Sequence, residues 1–244
     1  MNLFKMHTPK KAVILAGGQG TRLRPLTLTI PKALVEIHGR TLTEHILDLL
    51  KKYSVEEVYL SIGYLKDKIK DYFSDGKRFG IRIHYIEENE PLGTAGPLKT
   101  AKDFFKESFI VSNGDELKKI QIDKMFELHK KEKALVTIAL LEVEDPSLYG
   151  VARLDEKGSK ILEFVEKPKK ENAPSNLINA GFYIIEPSVL DLIPDGFSML
   201  EKDIFPKLAR EGKIAGFPFS GQWFDTGNFE RLEKARREWI DIAR

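Results

Sequence analysis

The chain has 244 residues, with 39 basic and 37 acidic side chains and a formal net charge of +2 when the histidines are neutral. This balance argues against nucleic acid or a membrane surface as the main partner, because either partner favours a basic excess concentrated on one face. No cysteine is present, which excludes a disulfide framework and a thiolate zinc site, and the length suffices for one domain with a large core.

The N-terminal half of the chain alternates apolar runs with amphipathic helical patterns. Its first ten residues lack the apolar core of a signal peptide and no later stretch reaches the length of a membrane span, so we expect a cytoplasmic protein. The predicted strands are Ala12–Ala16, Glu57–Ile62, Ile81–Ile86, Phe109–Ser112 and Leu135–Leu141. The predicted helices are Thr41–Tyr53, Lys66–Phe73, Ala95–Phe105 and Ile122–Glu132. This alternation predicts an α/β fold with a doubly wound, mostly parallel sheet.

After residue 141 the pattern changes to a series of strand-like pieces, and a turn signal at residues 155–158 joins the first two of them. These strands are Gly150–Leu154, Ile161–Glu166, Leu177–Ile185 and Ile214–Pro218, and a helix from about Asn228 to Ala243 follows. The pattern predicts a smaller portion of mixed sheet within a single domain of residues 1–244. No internal repeat is visible, and in particular no hexapeptide ladder of the kind that builds a left-handed β-helix.

Residues 15–27 read LAGGQGTRLRPLT and directly follow the first predicted strand. Three glycines there allow positive φ, which turns successive N–H groups toward an anion: Gly17, Gly18 and Gly20. Thr21 adds a hydroxyl, and Arg22 and Arg24 add fixed positive charge. The segment therefore predicts a polyphosphate site.

Other glycine-rich motifs fit this segment less well. A dinucleotide-binding fingerprint would need Gly or Ala where Leu23 stands, and a helix start that Pro25 opposes. A P-loop would need a Gly-Lys-Ser/Thr tripeptide, which does not occur here. A merely structural glycine turn stays open, although it does not account for two arginines and a threonine in the same loop.

The loop is one of several motifs that occur in the order of a known family. Pro31-Lys32 follows it, and later segments read ENEPLGTAGPL (88–98), VSNGD (111–115), EKP (166–168), NAGFY (179–183) and WFDTG (223–227). Together these motifs resemble the sugar-phosphate nucleotidyltransferases. EPLGTAGPL, with FSMLEKDIFPKL at 197–208, is most similar to mannose-1-phosphate and D-manno-heptose-1-phosphate guanylyltransferases, here without the left-handed β-helix domain of some relatives. Glu36 and Glu116 depart from the family pattern, and neither departure removes a group that the chemistry needs.

The resemblance implies transfer of a nucleoside monophosphate from an NTP to a sugar 1-phosphate, giving an NDP-sugar and pyrophosphate. Residues of about 10–141 would form the nucleotide-binding half, and about 142–244 the sugar-phosphate-binding half. The implied nucleotide-binding residues are Leu15, Ala16, Gly17, Gly18, Gly20, Thr21, Arg22, Glu88, Gly93 and Thr94. A phosphate monoester is already nucleophilic, so positioning and electrostatic stabilisation supply the acceleration and no protein nucleophile is needed.

Asp115 and Asp225 match the metal-binding aspartates of the family. The reaction joins two anions, so a divalent cation is expected to neutralise phosphate charge, and Mg²⁺ commonly takes one or two carboxylates from the protein. Arg22 is assigned to the triphosphate and the leaving pyrophosphate, Lys32 to phosphate from the other side, and Lys167 to the sugar phosphate. For Arg24 a phosphate contact and a solvated surface position stay equally open.

The resemblance places sugar contacts in the second half of the chain. Glu166 accepts hydroxyl hydrogens, Asn179 offers a donor and an acceptor, and Gly150 removes a side chain where a pyranose could pack. Lys167 lies beside Glu166 and would hold the phosphate of the same substrate. Gluco, manno and heptose sugars differ in stereochemistry that one sequence does not resolve.

Glu88 bears on the choice of base, because related thymidylyl- and uridylyltransferases commonly carry glutamine at this position. Guanine presents N1–H and N2–H₂ as adjacent donors to a carboxylate, whereas uracil and thymine place one N–H between two carbonyls that a carboxylate repels. The residue therefore favours GTP. The alternative that Glu88 is a solvated loop residue stays open.

Two alternative functions also stay open: a uridylyl- or thymidylyltransferase that acts on glucose 1-phosphate, and a catalytically silent regulatory relative that binds a nucleotide sugar. The chain could also form a homo-oligomer.

Overall fold

The structure is a computed structural model that describes residues 8–241. These residues form two compact units that interleave along the chain. Unit A contains residues 10–91, 111–120 and 221–241, and unit B contains residues 8–9, 92–110 and 121–220. The chain therefore does not pass once from one unit to the other near residue 141, and the predicted assignment of ligands to two halves remains a prediction.

The strands, in chain order, are β1 Lys11–Leu15, β2 Glu36–Ile37, β3 Arg40–Thr41, β4 Glu57–Ile62, β5 Arg82–Glu87, β6 Phe109–Asn113, β7 Glu116–Lys118, β8 Val136–Glu142, β9 Gly150–Leu154, β10 Ile161–Glu166, β11 Leu177–Ile185, β12 Ile214–Pro218 and β13 Trp223–Asp225. The α-helices are α1 Leu42–Lys52, α2 Lys66–Phe73, α3 Gly96–Thr100, α4 Ile122–Glu132, α5 Phe205–Arg210 and α6 Phe229–Glu238. A π-helical turn, Leu200–Ile204, precedes α5.

Unit A contains the parallel strands β1, β4 and β5. The side chains of β1 and β4 are buried on both faces, whereas those of β5 alternate between exposed and buried. β4 lies between β1 and β5 and pairs in parallel with each, with Val58 opposite Ala12 and Ile83. The predicted parallel sheet is confirmed in these strands, and the apolar runs of β1 and β4 are typical of strands covered on both sides. Two short antiparallel ribbons, β2–β3 and β7–β13, complete the unit.

Helices α1 and α6 contribute to a second apolar core in unit A. Thr41 and Glu44 form a reciprocal capping box that fixes the start of α1. The cluster consists of Leu23, Val35, Ile37, Leu42, Leu117, Leu232, Ala235 and Trp239. Because Leu23 and Leu117 belong to it, the cluster anchors both the end of the glycine-rich loop and the strand that follows Asp115.

Unit B carries the predicted mixed sheet. β11 is antiparallel to β8 and β9, β10 is antiparallel to β9, and β12 is parallel to β8.

In the described chain no helix is both long enough and apolar enough to cross a membrane.

Two predicted helices are shorter than expected. The helix predicted at 95–105 ends at Thr100, and a 3₁₀ turn, Lys102–Phe104, leads into the extended and buried Phe105. The helix predicted at 228–243 ends at Glu238, because the extended Trp239 is buried in the second core of unit A. Residues 242 and 243 of that prediction lie outside the described residues.

Candidate active site

The glycine-rich loop leaves β1 and enters a 3₁₀ turn, Thr21–Leu23. Of its three glycines, only Gly20 has positive φ, at 61°. The Thr27 hydroxyl donates to the Gly20 carbonyl at 2.7 Å and holds that bend. Gly17 lies against the end of the Glu88 side chain, since a Cβ there would lie 3.1 Å from Glu88 Cδ, and a larger residue would therefore displace this carboxylate. The expectation of positive φ at Gly17 and Gly18 was wrong.

Asp115 follows β6 and accepts a hydrogen bond from Lys32 Nζ at 2.6 Å. Burial alone would raise the pKa of Asp115, but the positive charges of Lys32, Lys118 and Arg22 outweigh it and hold the pKa below its ordinary value. The carboxylate is therefore ionised at neutral pH. The structure thus brings together Lys32, Arg22 and Asp115, which the sequence placed in one site.

Asp225 lies next to Asp115 through their backbones. The N–H and hydroxyl of Thr226 both donate to the Asp115 carbonyl, at 3.1 and 2.8 Å. Asp225 Oδ1 accepts the Gly227 N–H at 2.6 Å. A Cβ at Gly227 would lie 2.7 Å from Asp225 Oδ1 and 3.1 Å from Arg22 Nη2, so Arg22 and Asp225 flank this glycine.

Arg231 is a member of this cluster that the sequence did not single out. Its guanidinium lies on α6 and forms an ion pair with Asp225 Oδ2. Asn228 caps the helix through the Arg231 N–H at 2.9 Å, which fixes the first turn of α6 close to Asp225. Arg231 lies six residues after Asp225, and because Asp225 belongs to β13 and not to α6, no helical spacing in the sequence indicated the pair.

Glu116 and Lys118 form a buried ion pair on β7, directly behind Asp115. Glu116 Oε2 accepts from Lys118 Nζ at 3.3 Å and from Trp223 Nε1 at 3.2 Å, and Oε1 accepts from Asn113 Nδ2 at 3.0 Å. Burial raises the pKa of Glu116 and lowers the pKa of Lys118, each against the opposing charge of the other. The unusual Glu116 of the sequence is thus satisfied by donors from both strands of the β7–β13 ribbon.

Glu88 follows β5 and lies half-buried against the glycine-rich loop. The Ser61 hydroxyl on β4 donates to its Oε1 at 2.5 Å. A solvated loop position, the alternative left open by the sequence, does not describe this carboxylate. Its contact with a base remains a prediction.

Gly93 and Thr94, the other residues predicted to bind nucleotide, belong to unit B. Gly93 has φ of 75°, and a Cβ there would collide with the carbonyl of Ser198. The Thr94 hydroxyl donates to Glu201 Oε2 at 2.6 Å and accepts the Leu200 N–H at 2.9 Å. Thr94 is therefore fixed to the π-helical turn.

Glu201 was not predicted, although it lies within the FSMLEKDIFPKL segment. Its side chain is buried, and Tyr183 donates to its Oε1 at 3.4 Å. Burial raises the pKa of Glu201, and the nearby charge of Glu166 acts in the same direction. The π-helical turn that carries it is of a kind frequent at functional sites.

The residues predicted to bind sugar phosphate lie on adjacent strands of unit B. Gly150 pairs with Glu166 across β9 and β10, and a Cβ on Gly150 would lie 2.9 Å from Glu166 Oε2. Lys167 has an unusual φ of 48°, and its exposed Nζ lies 3.3 Å from Glu166 Oε1. Asn179 Nδ2 donates to the Tyr183 hydroxyl at 2.9 Å. Tyr183 therefore links Asn179 to Glu201 within one polar network.

A metal site made wholly of protein ligands does not occur in the described part of the chain. Residues 8–241 contain no group of three or more His, Asp or Glu side chains arranged to hold a metal ion. Two aspartates, as predicted, leave most coordination positions to phosphate and water, which is usual for Mg²⁺.

Comparison with known proteins identifies the family. The Nucleotidyl transferase family model matches residues 11–241. The chain belongs to this family. A mannose-1-phosphate guanylyltransferase catalytic subunit beta of Xenopus tropicalis is 42% identical, over 96% of this chain and 68% of its own length. Across related guanylyltransferases of Xenopus and Arabidopsis thaliana, the chain spans 61–68% of their length.

Solved structures with similar folds include two with sequence identities above 25%. A Bacillus anthracis structure assigned as a glucose-1-phosphate thymidylyltransferase has a TM-score of 0.86 at 26% identity, covering 96% of this chain and 97% of its own. HddC from Yersinia pseudotuberculosis, complexed with GMP-PN, has a TM-score of 0.78 at 30% identity, covering 95% of this chain and all of its own. These findings confirm the predicted family, the α/β fold and the enzyme class.

Proposed function

We propose that this nucleotidyl transferase uses GTP and a sugar 1-phosphate of the mannose or manno-heptose type, and forms a GDP-sugar and pyrophosphate. The observation that carries the proposal is the pair Asp115 and Asp225, tied together through Thr226 and flanked by Arg22 and Lys32. Two relatives that are 42% identical to this chain are mannose-1-phosphate guanylyltransferases by name, which supports the choice of substrates.

In this reaction a sugar-phosphate oxygen forms a bond to the α-phosphorus of GTP while the bond from that phosphorus to pyrophosphate breaks. Negative charge moves onto the leaving pyrophosphate. Arg22 would stabilise that charge with its planar guanidinium, and Lys32 would bind phosphate from the other side. The glycine-rich loop would contribute backbone N–H groups, and Gly20 supplies the bend that turns them.

The carboxylates of Asp115 and Asp225 fit a magnesium ion. Both are carboxylate oxygen donors, which Mg²⁺ prefers, and they lie on neighbouring segments joined by Thr226. When bound, the ion would neutralise phosphate charge. Lys32 and Arg231 pair with Asp115 and Asp225, respectively, and compensate the charges of these carboxylates.

Unit B would bind the sugar phosphate. Glu166 and Asn179 would offer acceptors and donors to sugar hydroxyls. Gly150 does not leave room for a pyranose, because Phe164 and Glu166 already occupy the space where its Cβ would lie. Lys167 would hold the phosphate, since its exposed ammonium lies at the end of β10 beside Glu166. The enzyme is proposed to act in the cytoplasm on these phosphorylated metabolites.

A pyrophosphate-release assay tests the proposal. GTP, ATP, UTP and dTTP would each be combined with glucose, mannose and manno-heptose 1-phosphates in the presence of Mg²⁺. We expect the fastest release with GTP and a manno-configured sugar. Faster release with UTP or dTTP and glucose 1-phosphate would make the chain a uridylyl- or thymidylyltransferase, and no release with any pair would favour a silent regulatory relative.

A further inference from the structure

Ser61 is a fully buried hydroxyl side chain that the chemistry above does not use. It lies on β4, and its Oγ donates to Glu88 Oε1 at 2.5 Å. The backbone on both sides is fixed, because Ala16 N–H donates to the Ser61 carbonyl at 2.9 Å and Glu88 N–H donates to the Ile62 carbonyl at 2.8 Å. The Glu88 carboxylate is thereby tied to the central strand of the parallel sheet in unit A.

Gly17 borders the same carboxylate from the glycine-rich loop. A Cβ at Gly17 would lie 3.1 Å from Glu88 Cδ and 3.5 Å from Oε2, and closer still to Oε1. The Gly17 carbonyl also accepts the Tyr64 N–H at 3.3 Å, which joins the loop to the segment after β4. The carboxylate therefore occupies a fixed position between the loop and β4.

We infer that Ser61 is a positioning residue that determines base selectivity, an inference that rests on the proposed recognition of guanine by Glu88. The terminal torsion of a glutamate is broad, so its two oxygens do not by themselves hold one plane. Guanine presents two adjacent N–H donors, which need both oxygens in the plane of the base. A hydroxyl bonded to Oε1 restricts this rotation.

The test measures kcat and KM for GTP and UTP at saturating mannose 1-phosphate in the wild type and in Ser61→Ala. We expect kcat/KM for GTP to fall about 5- to 30-fold, mainly through KM, while the value for UTP changes about twofold or less. Ser108→Ala is the matched control, because Ser108 Oγ donates to Glu186 Oε1 at 2.7 Å in unit B and should leave the GTP to UTP ratio unchanged.

Two further measurements separate positioning of Glu88 from general damage to the loop. Inhibition by tripolyphosphate, which has no base, should be the same in Ser61→Ala and the wild type. When Glu88→Gln is already present, Ser61→Ala should lower kcat/KM for GTP much less than it does in the wild type, because the two residues act as one unit. If Ser61→Ala does not fold, Ser61→Cys retains the volume with a weaker donor and should also lower the ratio.

The outcomes distinguish this inference from the proposed function. A wild type that prefers GTP, combined with an unchanged GTP to UTP ratio in Ser61→Ala or Ser61→Cys, would overturn the role of Ser61 alone. If Ser61→Ala weakened inhibition by tripolyphosphate by the same factor as it lowered kcat/KM for GTP, this result would also overturn the role of Ser61. A wild type that prefers UTP would overturn the proposed guanylyl transfer and this inference with it.

Discussion

Replacing Glu116 by leucine should destabilise the protein strongly, because it leaves the Lys118 ammonium buried without the carboxylate that it contacts. The Lys118 side chain is 1% exposed and the Glu116 side chain 12% exposed. Removing one partner of a buried pair costs about 3–5 kcal/mol, a large fraction of a total stability of roughly 5–15 kcal/mol. For a chain of this length the loss corresponds to a decrease in Tm of roughly 6–20 °C.

The double variant makes this prediction sharper. In Glu116→Leu/Lys118→Met neither charge remains, so the buried cation no longer contributes a penalty. Lys118→Met should therefore destabilise the wild type but raise the free energy of unfolding of Glu116→Leu, by about 2 kcal/mol or more. Denaturant midpoints and Tm of all four proteins provide the double-mutant cycle.

The exposed pair Arg153–Glu163 in unit B is the control, since its side chains are 49% and 46% exposed. The same cycle on this pair should give a coupling energy of about 0–1 kcal/mol. If Lys118→Met destabilises Glu116→Leu as much as it destabilises the wild type, the two charges do not compensate each other and the reasoning fails.

Three further predictions concern activity and pH. Asp115→Asn and Asp225→Asn should each lower kcat at least ~100-fold without unfolding the protein, and near-normal turnover at saturating Mg²⁺ would refute their assignment as metal ligands. Lys167→Ala should raise KM for the sugar phosphate far more than KM for GTP, so equal effects on both would contradict its proposed contact. Burial lowers the pKa of His129 below its ordinary value of 6.5, despite the opposing effect of Glu186. Just below pH 6.5 the unfolded chain therefore binds a proton that the folded chain does not. The free energy of unfolding should consequently fall as the pH drops below 6.5. His129→Gln should weaken this dependence, and equal changes in Tm between pH 7.5 and 5.5 in both proteins would count against it.

The sequence predicted those features of the site that are local in the chain. The apolar run before Gly17 identified a strand that ends in a loop, and the position of Asp115 after another strand placed it at an edge where ligands bind. Both predictions needed only periodicity and neighbouring residues. The motif order then supplied the family, which the match over residues 11–241 confirmed.

Contacts between distant segments were beyond the same reasoning. Trp223 donates to Glu116 across 107 positions of sequence, and Thr226 donates to the Asp115 carbonyl across 111. The periodicity of apolar residues does not predict which turn contacts which strand. For the same reason the end of the last helix was misplaced, since it depends on the burial of Trp239 in a core built from other segments.

The reason for Gly17 was also misjudged from the sequence. Positive φ is the usual explanation for a glycine in a phosphate loop, yet Gly17 has no positive φ and instead lets the Glu88 carboxylate lie against its Cα. That contact depends on the packing of β1 and β4 and on the chain after β5.

The nucleotide preference of Glu88→Gln tests the proposed guanylyl transfer most directly. Values of kcat/KM for GTP, UTP and dTTP would be measured at fixed mannose 1-phosphate in the wild type, in Glu88→Gln, and in Glu87→Gln, whose carboxylate pairs with Lys66 and Lys70 on the surface. Glutamine places a donor where guanine also presents donors, and such a mispaired contact costs about 1–3 kcal/mol, or roughly 5- to 150-fold in kcat/KM for GTP. We predict that the wild type prefers GTP and that the ratio of kcat/KM for GTP to kcat/KM for UTP falls in Glu88→Gln by a factor within or above this range. The same ratio should be unchanged in Glu87→Gln. A wild type that prefers UTP or dTTP, or a ratio that Glu88→Gln leaves unchanged, would contradict the account.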